Sequence, residues 1–205
     1  GDNEYIICEG QRITFREHLA RVSAVAYHLR HSYGVKPGDR VAILADNHPQ
    51  WIITFWATVS IGAICVGLNG WWQKDEILHA LEDALPRLLI GDRQRLARVA
   101  GSELPFPVLC IEGDFIQLEQ GWDAGEGKAP ALPDCAIAED DPALILYTSG
   151  TTGSAKGALI SHRALITFLA SAIFSGFRMM LMEAESGKSL TGSSLPNCGL
   201  FSAPL

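Results

Sequence analysis

Ala143-Leu144-Ile145-Leu146-Tyr147 runs without a break into Thr148-Ser149-Gly150-Thr151-Thr152-Gly153-Ser154-Ala155-Lys156-Gly157. The reading of that junction decides the rest. The first piece is a short continuous apolar run, the pattern of a strand covered on both faces. The second piece has glycines at 150, 153 and 157, which let the backbone bend and let N–H groups come close to a ligand. Hydroxyls at Thr148, Ser149, Thr151, Thr152 and Ser154 can donate to anionic oxygens, and Lys156 adds a mobile positive charge. Converging amides, hydroxyls and one cation suit a polyphosphate, and charge-assisted hydrogen bonds are roughly twice as strong as neutral ones. The competing reading, a Ser/Thr/Gly-rich surface linker, fits poorly. A linker has no reason to sit tight against a Leu-Ile-Leu strand, or to carry a single lysine followed at once by a second apolar run.

The loop is not a Walker A sequence, which needs Gly-Lys-Ser/Thr; here Ala155 precedes Lys156 and Gly157 follows it. No Gly-x-Gly-x-x-Gly follows the apolar run Val41–Ala45. The ordinary nucleotide-binding folds are therefore not indicated.

Upstream, Tyr5–Cys8 and Gln11–Thr14 flank Glu9-Gly10 and read as a hairpin. Thr14 with Glu17 forms a capping box that opens a helix, with Phe15, Leu19, Val22, Ala26 and Leu29 on one buried face and Tyr33-Gly34 as its end. Lys36-Pro37-Gly38-Asp39 is turn chemistry. Strands are expected at Val41–Ala45, Ala63–Leu68, Arg87–Ile90 and Pro107–Ile111. Helices are expected from Trp51 to about Ile61, over Lys74–Ala84 and over Gln94–Ala100. Glu112–Pro142 is acidic, rich in Gly and Pro and weakly periodic, which reads as a surface connection with at most a short ordered piece. Downstream, Lys156–Ser161 is a strand leaving the loop and Arg163 to about Glu183 a helix. Glu185–Ser194 reads as a flexible loop, and Cys198–Leu205 as the beginning of another strand. The alternation predicts an α/β fold with a largely parallel sheet flanked by helices.

Composition narrows the class. The 205 residues are 48% hydrophobic and 19% charged, enough for a substantial core. The net charge of −7 and the lack of any Lys/Arg run argue against nucleic acid as a partner. Five cysteines without CxxC spacing argue against a disulfide framework or a zinc site, and point to a reducing, cytoplasmic setting. Cys8, Cys65 and Cys110 sit in apolar runs and read as small buried hydrophobes. No metal-ligating set is read from the sequence. Pro49–Gln73 carries no formal charge, but it divides into a helix, a strand and a turn and is not read as a transmembrane segment.

The loop closely resembles the signature of the adenylate-forming superfamily, which includes acyl-CoA synthetases, peptide-synthetase adenylation domains and firefly luciferases. The usual form is Thr-Ser-Gly-Thr-Thr-Gly-x-Pro-Lys-Gly, and this chain departs from it only in having Ala155 for Pro. Ser161-His162, Thr14-Phe15-Arg16-Glu17, Gly34–Ala42, Asn47, Gly62-Ala63 and Leu68-Asn69 resemble family landmarks in the expected order. Gly67 stands where many members have Pro, and Leu68–Trp72 looks most like bacterial fatty acyl-CoA ligases. The resemblance implies the N-terminal part of the large domain of such an enzyme. A carboxylate, with a fatty acid the expected class, attacks the α-phosphorus of MgATP to give acyl-AMP, and CoA then displaces AMP. It assigns Thr148, Ser149, Gly150, Thr151, Thr152, Gly153 and Lys156 to the β- and γ-phosphates, with Lys156 also as the catalytic group. It implies ATP, Mg2+ and CoA as cofactors. Ser202–Leu205 resembles the start of the next motif, so the acyl pocket and the C-terminal lid are expected beyond Leu205. Residues 1–205 are then an incomplete domain, inactive alone and able to self-associate along an open sheet edge.

Other residues read blandly. His18, His28, His31, His48 and His79 lack ligand spacing, and His162 suits helix capping as well as catalysis. Trp71, Trp72, Phe168, Phe174, Phe177, Met179, Met180 and Met182 read as packing, and Glu139-Asp140-Asp141 as a solvated turn. Two competing functional readings remain: a non-catalytic nucleotide-binding module that retains only the loop, and a membrane-embedded helical protein.

Overall fold

The computed structural model describes residues 1–120, 130–148 and 155–185. The chain begins with a two-stranded antiparallel hairpin, β1 (Glu4–Cys8) and β2 (Gln11–Thr14). Thr14 then opens helix α1 (Phe15–His31) through the predicted capping box. The Glu17 N–H donates to Thr14 Oγ1 at 3.2 Å, and the Thr14 N–H donates to Glu17 Oε2 at 2.8 Å. The Thr14 N–H bond, with the Thr14 hydroxyl also 3.0 Å from Glu17 Oε2, holds the Glu17 carboxyl below its ordinary value.

Strand β3 (Arg40–Leu44), helix α2 (Pro49–Ser60), strand β4 (Ile64–Gly67), helix α3 (Lys74–Ala84), strand β5 (Leu88–Gly91), the single helical turn α4 (Arg93–Leu96) and strand β6 (Val108–Cys110) follow in alternation. A π-type turn at Ile111–Phe115 leads into α5 (Ile116–Gln120). Strands β7 (Pro142–Thr148) and β8 (Lys156–Ser161) and helix α6 (His162–Glu185) complete the described residues.

Six strands make one sheet in the order β6-β5-β3-β4-β7-β8, parallel throughout except that β8 returns antiparallel beside β7. The strand order reverses around β3, and right-handed crossovers then place helices on both faces. On one face, Val41, Ile43, Cys65, Leu88 and Ile90 pack with Val25 and Leu29 of α1, Ile53 and Ala57 of α2, and Phe115. On the other, Ala42, Leu44, Val66 and Leu89 pack with Ile77, Ala80 and Leu81 of α3. Burying each Leu or Ile side chain contributes about 1.5–3 kcal/mol, which is why β3, β4 and β5 read as unbroken apolar runs.

Several expectations need correction. Phe15 and Leu19 are about half exposed, because the buried stripe of α1 runs through His18, Val22, Val25, Ala26 and Leu29 instead. The acidic connection is shorter than 112–142. Its first residues fold as the π turn and α5, with Phe115 fully buried and Glu119 paired to Arg21 at 3.0 Å, and Pro142 already belongs to β7. Residues 130–141 lack regular structure, as expected. Cys65 is fully buried, whereas Cys8 and Cys110 are only half-buried. The predicted Gln94–Ala100 helix begins at Arg93 and tightens to a 3-10 turn at Ala97–Val99.

The largest correction concerns α6. Ile166, Phe168, Leu169, Ile173, Phe174, Phe177, Leu181 and Met182 are all more than half exposed, so the packing read for Phe168, Phe174, Phe177 and Met182 is not met among the described residues. The side chains of Met179 and Met180 lie outside them. Trp72 is buried as predicted, but Trp71 is 72% exposed. Among the described residues no helix is long and apolar enough to cross a membrane, and Pro49–Gln73 is the predicted helix, strand and turn. The loop read over Glu185–Ser194 and the strand read over Cys198–Leu205 fall outside the described residues, apart from Glu185 itself, which ends α6.

Candidate functional site

In an open α/β sheet, ligands bind outside the carboxyl ends of the strands, near the point where strand order reverses. Here that edge carries the turns after β3, β4 and β5 and, one strand further out, the turn from β7 to β8. The last of these is the hydroxyl- and glycine-rich segment. Antiparallel pairing sets Thr148 directly opposite Lys156 and Tyr147 opposite Gly157. β7 and β8 are therefore the paired legs of a hairpin whose mouth lies between Thr148 and Lys156. Thr148 and Lys156 are both exposed at its mouth, and the Thr148 hydroxyl donates to the Lys156 carbonyl at 3.5 Å, the outer limit of a hydrogen bond. Ser149, Gly150, Thr151, Thr152 and Gly153, also assigned to phosphate, lie outside the described residues.

The base of the hairpin is fixed to the sheet's second helical layer. The Tyr147 ring meets Trp72 edge-on at 5.8 Å, and its hydroxyl donates to Asp83 Oδ2 at 2.7 Å and lies 3.1 Å from the Ala80 carbonyl, both on α3. Burial, then the Asp83 carboxylate, push the Tyr147 hydroxyl far above its usual range, so it stays a donor. The sequence gives Tyr147 a place in the strand but no such role. An isolated Asp on the outer face of a helix offers no signal of a partner that is 64 positions away in the chain.

Beside the hairpin, a buried charge network pins three turns together. Arg95 pairs with Asp92 at 2.7 Å and Asp46 at 3.0 Å, and donates to the Gly70 carbonyl at 3.1 Å. Arg98 donates to the carbonyls of Gly70 and Trp72, both at 2.7 Å. Asp92 also accepts from the N–H groups of Arg95 and Asp46, at 2.8 and 2.9 Å. A Cβ on residue 70 would stand 2.7 Å from Arg95 Nε, so glycine is required for this approach. The Asn47 N–H bond, with Arg95 adding to it, holds the Asp46 carboxyl low. Sequence reasoning missed this network. Its one local trace is Asp92, three residues before Arg95, in the pattern of a helix N-cap.

His162 opens α6, and its Nε2 finds no hydrogen-bond partner among the described residues. Of the remaining histidines, only His18 is buried. Glu139 and Asp140 pair with Arg163 in an exposed turn. Among the described residues no group of three or more His, Cys, Asp or Glu converges on a point that could hold a metal ion.

Comparison with known proteins identifies related chains. The profile of a family described as AMP-binding enzyme matches residues 1–185. A feruloyl-CoA synthase from Amycolatopsis is 36% identical over 75% of this chain and 29% of its own length. A 3-hydroxybenzoate/4-hydroxybenzoate–CoA ligase from Thauera aromatica is 32% identical over 81% of this chain and 33% of its own. The N-terminal subdomain of Klebsiella oxytoca NpsA superposes with a TM-score of 0.65 at 32% identity, covering 79% of this chain and 38% of that one. The chain thus spans about a third of the length of the curated relatives it matches.

Proposed function

Because the chain belongs to the AMP-binding enzyme family, we propose that it is the phosphate-gripping part of an ATP-dependent acid–thiol ligase. The reading rests on one observation above the others: the end of β7 and the start of the antiparallel β8 set Thr148 and Lys156 on opposite sides of a hairpin mouth at the carboxyl edge. The intervening Ser149, Gly150, Thr151, Thr152 and Gly153 supply hydroxyls and backbone amides for the β- and γ-phosphates. Lys156 opposes the negative charge that develops on the departing pyrophosphate.

The whole enzyme then joins a carboxylate to ATP, giving acyl-AMP and pyrophosphate, and passes the acyl group to CoA. Mg2+ would accompany the triphosphate and would offset part of its charge. The protein's contribution is positioning and preorganised charge, the usual source of rate in such transfers. We further propose that this part supplies the grip, is inactive without the rest of the enzyme, and works in the cytoplasm.

The acid is the least determined element. Leu68–Trp72 favoured a fatty acid, whereas relatives that act on feruloyl and hydroxybenzoate groups favour an aromatic carboxylate. Acid-dependent ATP–pyrophosphate exchange by the whole enzyme, run with hydroxybenzoates, cinnamates and medium-chain fatty acids, decides between them. Exchange with none of these acids would count against the ligase reading. Acyl-AMP formation by the 205-residue chain would refute the claim that it is inactive alone.

A further inference from the structure

The side chain that crosses the base of the hairpin belongs to Tyr147, and three observations meet there. Its hydroxyl is anchored on α3, 2.7 Å from Asp83 Oδ2. Its ring is braced by Trp72 from the turn after β4. Directly opposite, on the returning strand, stands Gly157. A Cβ at Gly157 would come within 2.9 Å of Ile145 Cγ2 and 3.3 Å of Tyr147 Cζ. The ring therefore lies close against the backbone of β8, where a side chain at 157 would clash with Ile145 and crowd the ring. Both legs of the hairpin are held by one aromatic ring, the leaving strand by covalent attachment and the returning strand by contact.

We propose that Tyr147, Asp83 and Gly157 form a clamp that positions the hairpin mouth, so that Thr148 and Lys156 present their donors to a polyphosphate at a fixed separation. These are positioning residues: none of them is offered as a ligand to the phosphate. The proposal deepens the ligase reading and rests on it. The physical reason is entropic. A mouth held rigid loses less freedom when it closes on an anion, so affinity falls when the clamp is released even though no contact to the anion is deleted. The Tyr147 hydroxyl remains protonated at all physiological pH, which keeps the Asp83 anchor intact.

The test titrates the 15N-labelled chain with magnesium tripolyphosphate, following amide shifts, alongside thermal melts. Tyr147→Phe removes one oxygen and Asp83→Ala its acceptor, and each is expected to weaken tripolyphosphate binding about three- to ten-fold. The double variant should be no weaker than either single one, because the two groups form one link. Gly157→Ala should also weaken binding, since its methyl would clash with Ile145 Cγ2 and press on the ring. A role confined to stability would instead lower the melting temperature and leave affinity untouched, and that result overturns the proposal. The ligase reading is separated by Lys156→Ala. If the wild type binds and Lys156→Ala does not, while the clamp variants titrate like the wild type, the clamp fails and the reading survives. If the wild type shows no binding at all, both fall.

Discussion

Strands β3 and β7 look alike in sequence, and the structure treats them differently. Val41–Leu44 and Ala143–Leu146 are both short aliphatic runs ahead of a polar break. In β3 all four of these residues are fully buried between two helical layers. In β7 only Ala143 and Leu144 are buried, and the rest are half-covered by β8, itself an edge strand with Leu159 61% exposed. The contrast continues into the helices. Helices α1 and α2 bury their apolar stripes, while α6 leaves three phenylalanines in the open. An apolar run reports that a surface is meant to be covered, but carries no information about which element covers it.

The sharpest way to break this comparison is to truncate one phenylalanine on each side of it. Phe115→Ala, at a fully buried site, should cost about 3–5 kcal/mol in denaturant unfolding. Phe174→Ala, 71% exposed, should fall within about 0.5 kcal/mol of the wild type. Equal losses would show that α6 is packed in solution. Ionic pairs give the next contrast. Arg95→Ala leaves Asp92 buried without its partner and should cost about 3 kcal/mol or more. Arg163→Ala, in the exposed turn beside Glu139 and Asp140, should leave the unfolding midpoint unchanged.

Titration sharpens the core side further. Burial, with the Arg21 charge adding to it, lowers the His18 pKa to about 4, and its Nδ1 finds no partner among the described residues. The unfolded chain, with His near 6.5, binds the proton first. Stability should therefore be lost as pH falls from about 6.5 toward 4, by on the order of 2 kcal/mol, and His18→Leu should flatten that slope. A slope unchanged in the variant would assign it to other groups. The smallest effect belongs to α6: Phe174→Ser and Phe177→Ser should reduce binding of an apolar dye while leaving the melting temperature in place.

What the sequence revealed follows the range of the forces involved. The Thr14 capping box and the Lys74–Ala84 helix were legible to the residue because each is set by neighbours three or four positions away, and the Lys156–Ser161 strand from the apolar run that follows the loop. The parallel sheet was legible from alternation alone. Phe115 was hidden because the acidic, glycine-containing stretch around it masks a single buried side chain. The Arg95 network and the Tyr147–Asp83 bond were hidden because their partners come together only once the sheet has formed. At the candidate site, the sequence singled out Thr148 and Lys156, which the fold sets opposite one another, while the contacts of Tyr147 with Asp83 and Trp72 carried no local signal.

The central claim is that the turn after β7 grips the tail of a nucleoside triphosphate. Its most direct test maps amide shift changes in the 15N-labelled chain on adding MgATP. The account predicts changes centred on residues 148–157 that are strongly reduced in Lys156→Ala. Changes absent, centred elsewhere on the fold, or identical in Lys156→Ala would contradict it.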